Sequence, residues 1–344
     1  MIEDLEALRR EIDKIDELIL ELIGKRLEIA KMIGYIKKAR GITLRDLARE
    51  NEVEGRWISI SKGKGIPESL AREISRLLIQ HSIAAQASIA PKARRIALIG
   101  YGGMARTLGE ILVWAGHEVT ISGRNSEKAS DLARILRCRY SQEAMAIGNS
   151  EYIILALSRG AFLDGYVEKL TAYMGDKLVM DILSSKRDIY KKMEDLSKRY
   201  QFRYISTHPL FGPTHMPFGE SIVLIPSITG RESLEEAIAF WSSAGLSPII
   251  SSYDEHEKAM AVVQVIPHIY ILALAYAINI LSKRYGIDYR GYRTYSFKKI
   301  EEVIRRISDN IDAVAEIQLN NEYAREARRI AIETLESTVK SFGW

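Results

Sequence analysis

Arg26 and Lys37 stand eleven residues apart, which is three turns of an α-helix, so they share one face about 16 Å apart along its axis. Their long side chains can converge on one dianion. Asp46, Arg49 and Glu50 follow at i, i+3 and i+4, and Ser82 and Gln86 are four apart, so each set occupies one helical face. Arg9 lies about 25 Å from Arg26 along the same helix and is rotated off that face, which predicts that it serves a pocket in a second copy of the chain.

A second chemistry is spelled further on. Gly100-Tyr-Gly102-Gly103-Met104-Ala105 fits the G-x-G-x-x-A pattern where a strand should turn into a helix. Gly100 permits the tight turn, Gly102 lets backbone amides approach a pyrophosphate, and Ala105 allows close helix packing. The place where an acidic side chain would grip ribose hydroxyls reads Ser122-Gly123-Arg124-Asn125. A hydroxyl and a guanidinium suit a phosphate better, so the expected cofactor is NADP or NAD, with NADP favoured. Ser184 in Asp181-Ile-Leu-Ser184-Ser185-Lys186 and His208 in Thr207-His208-Pro-Leu-Phe-Gly-Pro213 put a hydroxyl and an imidazole at strand ends near the cofactor crevice. His268 follows Pro267 in a later helix, and His256 stands near a helix start, as a cap or as a functional group.

These residues need elements to hold them. Apolar residues at Leu5, Leu8, Ile12, Ile15, Ile19, Leu22, Ile23, Leu27, Ala30, Ile33 and Ile36 have helical spacing and predict one long helix over residues 2–40, ended by Gly41. Thr43 to Ser59 reads as a second helix, Glu68 to about Ala87 as a third, and Pro91-Lys92 as a linker. From Arg95 short apolar runs (RIALIG, HEVTISG, YIILALS, KLVMDIL, RYISTHPL, SIVLIPS) alternate with helical stretches, which predicts a largely parallel sheet with crossover helices. Past Pro226 the chain is mostly helical, apart from a strand candidate at Pro248 to Ser251. The expected fold is multidomain: an all-α domain over 1–91, an α/β Rossmann-type domain over 92–228, and an all-α substrate and dimerisation domain over 229–344.

The 344 residues carry 49 Lys+Arg and 45 Asp+Glu, a net charge of +4, interleaved along helices, which disfavours a nucleic-acid partner. The single cysteine, Cys138, can form no internal disulfide, and the N-terminus has no leader pattern, so a cytoplasmic protein is expected. The apolar run Ala259 to Leu281 is long enough to span a bilayer, yet it contains Gln264, Pro267 and His268 and reads better as a buried core or dimer helix than as a membrane segment.

Leu8-Arg9, Lys25-Arg26, Lys37, Arg45-Asp46 with Arg49-Glu50, and Ser82 with Gln86 resemble the all-helical chorismate mutases over about residues 4–88. The resemblance implies that Arg9 enters from the other subunit, Arg26 and Arg49 bind carboxylates, Lys37 and Gln86 flank the ether oxygen, Glu50 takes the hydroxyl, and Asp46 and Ser82 support the pocket. From about Arg94 the chain resembles the prephenate dehydrogenases, whose signature is close to His208-Pro-Leu-Phe-Gly-Pro. That likeness implies oxidative decarboxylation of prephenate to 4-hydroxyphenylpyruvate, with His208 as base, Ser184 orienting it, His268 touching substrate, and Arg293 or, failing it, Arg305 binding a carboxylate.

Together these imply a bifunctional, homodimeric enzyme of tyrosine biosynthesis acting on chorismate and prephenate, without a metal. The competing expectations are an arogenate or other hydroxyacid dehydrogenase whose first ninety residues only dimerise, and a dinucleotide sensor without turnover.

Overall fold

The computed structural model describes residues 2–40, 46–87, 93–214 and 217–343. Gly41, Thr43, Arg45 and the Pro91-Lys92 linker lie outside the described residues. The chain divides into two compact units, residues 1–182 with 196–250, and residues 183–195 with 251–344.

The first unit opens with helices α1 (Ile2–Ala39), α2 (Leu47–Lys62) and α3 (Glu68–Ala87). The uninterrupted apolar period of α1 sustains its 38 residues, and α3 packs against both α1 and α2. Asp46 caps α2, its carboxylate accepting Arg49 N–H at 3.0 Å. Gly34 of α1 meets Gln86 of α3 so closely that a Cβ at position 34 would stand 2.8 Å from Gln86 Cα. On α1 the stripe of Leu5, Leu8, Ile12, Ile15, Ile19 and Leu22 is 48–63% exposed.

An eight-stranded sheet follows: β1 (Arg95–Ile99), β2 (Glu118–Ser122), β3 (Arg139–Tyr140), β4 (Tyr152–Leu155), β5 (Leu178–Asp181), β6 (Arg203–Pro209), β7 (Ser221–Pro226) and β8 (Ser247–Ile250). Its order is β3-β2-β1-β4-β5-β6-β7-β8, parallel throughout except where β6 meets β7. All six expected strands are present, the candidate near Pro248 is β8, and only the two-residue β3 was not foreseen. Helices α4 (Gly103–Trp114), α5 (Ser126–Leu136), α6 (Glu143–Gly148), α7 (Arg159–Leu163), α8 (Tyr166–Leu170), α9 (Ile189–Tyr200) and α10 (Leu234–Ser243) connect the strands. Covering both faces demands continuous apolar strands, and Ile96, Leu98, Ile154, Met180 and Ile205 are fully buried. Ile83 and Ala84 of α3 join the same core, where Trp114 Nε1–H donates to Ala84 O at 3.4 Å.

In the second unit α11 (Tyr253–Met260) runs through a π-helical turn (Ala261–Val265) into α12 (Ile266–Tyr285), followed by α13 (Tyr295–Ser308), α14 (Ile311–Asn320) and α15 (Ala324–Ser341). The π turn precedes Pro267, whose ring nitrogen cannot close an ordinary helical bond. Tyr253–Tyr285 is long and apolar enough to cross a membrane by length and composition. Only 11% of its most apolar window is buried, and no residue of α12 is fully buried. The buried-core reading of this run therefore does not hold: the chain is too thinly packed around α12 to cover it.

Candidate active sites

The three N-terminal helices enclose a cavity of about 380 Å³ lined by Arg26, Lys37, Asp46, Arg49, Glu50, Ser82 and Gln86, with apolar walls from Ile29, Ile33, Val53 and Ile79. Seven of the eight residues read from the sequence for this site thus share one wall. The eighth, Arg9, is exposed on α1 and paired with Glu6 at 3.5 Å.

Arg26 is the best anchored of the cations. Its Nη1 donates to Leu78 O at 2.8 Å and to Ser82 Oγ, and Ser82 Oγ–H donates to the same carbonyl at 2.7 Å. Burial pulls the Arg26 pKa below its ordinary value, because the partly buried guanidinium has lost hydrating water. Burial also lowers the Lys37 pKa, against the raising influence of Asp46 and Glu50. Arg49 is turned toward Glu52 at 2.6 Å. Gln86 is 8% exposed, and its Oε1 is buried with no hydrogen-bond partner. A buried amide oxygen without a partner costs free energy, which a polar substrate in the cavity would recover.

The glycine turn lies at the junction of β1 and β4, where the strand order reverses and dinucleotides bind in such sheets. Gly100 has φ +138°, and a Cβ there would fall 2.1 Å from Ala156 O. A Cβ at Gly102 would meet nothing within 4 Å among the described residues, which agrees with the open approach a pyrophosphate requires at the N-terminus of α4. Met104 lies in the first turn of that helix, and Ala105 is buried against the sheet. The residues present therefore fit a dinucleotide.

The loop after β6 closes on this turn. A Cβ at Gly103 would meet Pro213 Cγ at 2.8 Å, and Thr107 Oγ1 both donates to Thr214 O at 2.7 Å and accepts Thr214 N–H at 3.0 Å. His208, opposite Val223 across the antiparallel pair and 2% exposed, thus ends a strand whose following segment is clamped to the cofactor helix. Beneath it Asp181 accepts hydrogen bonds from Tyr204 OH at 2.7 Å and Ser206 Oγ at 2.6 Å.

The residues read for the adenosine end take less uniform positions. Ser122 is fully buried and its Oγ has no partner. Asn125 caps α5, accepting Lys128 N–H at 2.9 Å. Arg124 Nη2 donates to both oxygens of Asp164 at 2.6 Å, a partner 40 positions away that the sequence pattern did not signal.

In the second unit Ser184 is half-buried, and Arg293 is exposed and paired with Glu301 at 2.9 Å. Arg305 is exposed. His268 keeps a buried Nδ1 without a partner, as does Gln264 Oε1 one turn earlier. Burial, and then the charge of Arg306, push the His268 pKa down. Arg306, which the sequence reading did not name, is thus the guanidinium whose charge bears on His268. His256 does not cap its helix, since Ser252 Oγ accepts Glu255 N–H there. It is buried with Glu257, whose Oε1 meets His256 Nδ1 and Lys186 N, each at 3.2 Å.

A family model described as chorismate mutase type II matches residues 8–87, and one described as NADP oxidoreductase, coenzyme F420-dependent, matches residues 95–185. A chorismate mutase of Methanocaldococcus jannaschii is 37% identical, covering 25% of this chain and 87% of that protein. A protein named T-protein from Enterobacter agglomerans is 21% identical over 84% of this chain and 74% of its own length. In fold, the chain is similar to prephenate dehydrogenase from Aquifex aeolicus in complex with hydroxyphenyl propionate and NAD+ (TM-score 0.57, 19% identity, 73% of this chain and 89% of that one).

Proposed function

The chain belongs to the chorismate mutase family through residues 8–87, and from that premise we propose that one polypeptide catalyses two successive steps of tyrosine biosynthesis: chorismate to prephenate, then prephenate to 4-hydroxyphenylpyruvate with a nicotinamide dinucleotide. The reading rests above all on one observation, the gathering of Arg26, Lys37, Asp46, Arg49, Glu50, Ser82 and Gln86 around a single cavity. Its functional parts are read as residues 1–91, 92–228 and 229–344, with α10 and β8 of the last span belonging to the sheet rather than to the C-terminal helices.

In the first step an ether C–O bond breaks as a C–C bond forms within one molecule, so no covalent help from the protein is needed. Arg26 and Arg49, with Arg9 of a second copy, hold the two carboxylates and so favour the compact conformer. The Lys37 ammonium and the Gln86 amide face the ether oxygen, where negative charge grows. Glu50 accepts the ring hydroxyl, while Asp46 and Ser82 keep α2 and Arg26 in place.

For the second step Gly100, Gly102, Gly103, Met104 and Ala105 hold the pyrophosphate, and Ser122, Arg124 and Asn125 stand toward the adenosine end. The cofactor is NADP or NAD, with Arg124 favouring NADP. When bound, its nicotinamide accepts the hydride released as the ring carboxylate leaves as carbon dioxide. His208 takes the proton from the ring hydroxyl as the carbonyl develops, and Ser184 orients that imidazole. His268 and a guanidinium, Arg293 or Arg305, bind the remaining carboxylate.

A homodimer is the working form. Its support is the half-exposed apolar stripe of α1, an apolar cavity of about 650 Å³ between α2 and α3 lined by Trp57, Ile60, Leu70 and Ile74, and the little-buried helix Tyr253–Tyr285. A cytoplasmic location accords with soluble substrates.

His208→Asn tests the dehydrogenase assignment. It should abolish prephenate-dependent reduction of the dinucleotide while dinucleotide affinity and chorismate consumption persist. Turnover that survives the substitution would remove His208 from its role.

A further inference from the structure

Selectivity between two dinucleotides that differ by one phosphate must be decided where the adenosine ribose sits, beyond the end of β2. That place is well defined here. Gly100 N–H donates to Ser122 O at 2.8 Å, and a Cβ at Gly123 would meet the Tyr101 ring at 3.0 Å, so the turn bearing Arg124 lies against the glycine turn itself. Arg124 does not extend freely from it. Its Nη2 donates to Asp164 Oδ1 and Oδ2 at 2.6 Å each, and its Cζ stands 4.1 Å over the centre of the Tyr166 ring.

The partner side of this contact is built as firmly. Asp164 lies between α7 and α8, where its Oδ1 also accepts Tyr166 N–H at 3.0 Å, and Tyr166 OH donates to Glu143 at 2.9 Å. The other charge that bears on Asp164 is that of Lys169. Arg124 and Asp164 are both about half exposed, at 45% and 46%, so their pairing is open to competition by a ligand.

Resting on the dinucleotide reading above, we propose that Asp164 is a specificity determinant: it supplies from the α7–α8 turn the carboxylate that β2 lacks, accepts a ribose hydroxyl of NAD, and competes with the 2′-phosphate of NADP for Arg124. Two opposed effects follow from one side chain. The carboxylate repels a dianionic phosphate and occupies the guanidinium nitrogen that would bind it. It also holds that guanidinium flat on Tyr166, so Arg124 is in place whenever the phosphate displaces its partner. The native protein should bind both dinucleotides, with NADP held less tightly than Arg124 alone would allow.

The test is calorimetric titration of the full-length protein with NAD+ and NADP+, compared with Asp164→Asn, Asp164→Ser and Arg124→Ala. Both Asp164 variants remove the charge, and asparagine keeps an acceptor for Tyr166 N–H. Each should tighten NADP+ by about tenfold, the weight of one screened charge pair, and weaken NAD+. Arg124→Ala should weaken NADP+ by a similar factor. Should both Asp164 variants leave the ratio of the two dissociation constants unchanged, the carboxylate is only a structural tie and the inference is overturned. Should the native protein bind neither dinucleotide, the dehydrogenase reading itself fails, a result separate from an unchanged ratio.

Discussion

Gly34→Ala isolates the geometry of the mutase site in one methyl group. The added Cβ would stand 2.8 Å from Gln86 Cα and 3.0 Å from Gln86 Cβ and O, whereas carbon atoms rest at roughly 3.5–4.0 Å. Backbone atoms of α3 cannot swing aside, so α1 and α3 must part by about 0.7–1.2 Å. Overpacking of this kind costs about 1–3 kcal/mol, and a displacement near 1 Å of a group facing the reacting bond costs about a hundredfold in rate. On the proposed assignment Gln86 is that group, and Arg26 and Lys37 on α1 move away from it together. The assay is chorismate consumption, with prephenate-dependent dinucleotide reduction in the same preparation as internal control and a thermal melt to register the packing cost. The expected result is mutase kcat/KM lowered by about two orders of magnitude beside a near-native dehydrogenase rate. Mutase efficiency within about threefold of the parent would refute the reasoning, since it would mean that the closeness of the two helices does not position the amide.

Other perturbations probe the same chemistry. Gln86→Glu places a carboxyl in a buried position, where its pKa rises; only its protonated form donates to the ether oxygen, so mutase activity should be retained at low pH and lost as pH climbs through that raised value, and a flat profile would count against Gln86 as donor. Lys37 donates only as the ammonium and burial lowers its pKa, so the alkaline loss of mutase rate should come below the ordinary lysine value of 10.5. Asp46→Asn keeps the cap of α2 but removes a charge that raises that pKa, and should shift this alkaline limb to still lower pH. Co-expressed Arg9→Ala and Arg26→Ala chains, each inactive alone, should recover about a quarter of parental mutase activity, because half the dimers are mixed and each has one intact pocket; no recovery would place Arg9 outside the neighbouring site.

Much of this was legible in the sequence because its signals are local. The apolar period of α1, the six strand runs and the glycine turn each need only a few consecutive residues, and helix geometry puts Arg26 with Lys37 and Ser82 with Gln86 on shared faces. What escaped depends on partners that meet only after folding. Asp164 reaches Arg124 across 40 positions, and no local pattern announces it. The charge of Arg306 bears on His268 across 38 positions, and no local pattern announces that either. Strand β3, at two residues, is too short to show alternation. The apolar run around α12 announced that it must be covered, and hydrophobicity says nothing of whether its own chain does the covering.

The last turns of α3 serve two masters. Ser82 and Gln86 look into the mutase cavity, while Ile83 and Ala84 between them are 6% and 3% exposed inside the core of the sheet domain, and Trp114 of the cofactor helix grips the Ala84 carbonyl. A gene split that released the first helices as a free-standing catalyst would wet two apolar side chains, unseat an indole and loosen the very helix that bears the amide. Fission of this enzyme into its halves would therefore demand resurfacing on both sides of the cut, and a linker cleaved by protease should leave the two parts still holding together.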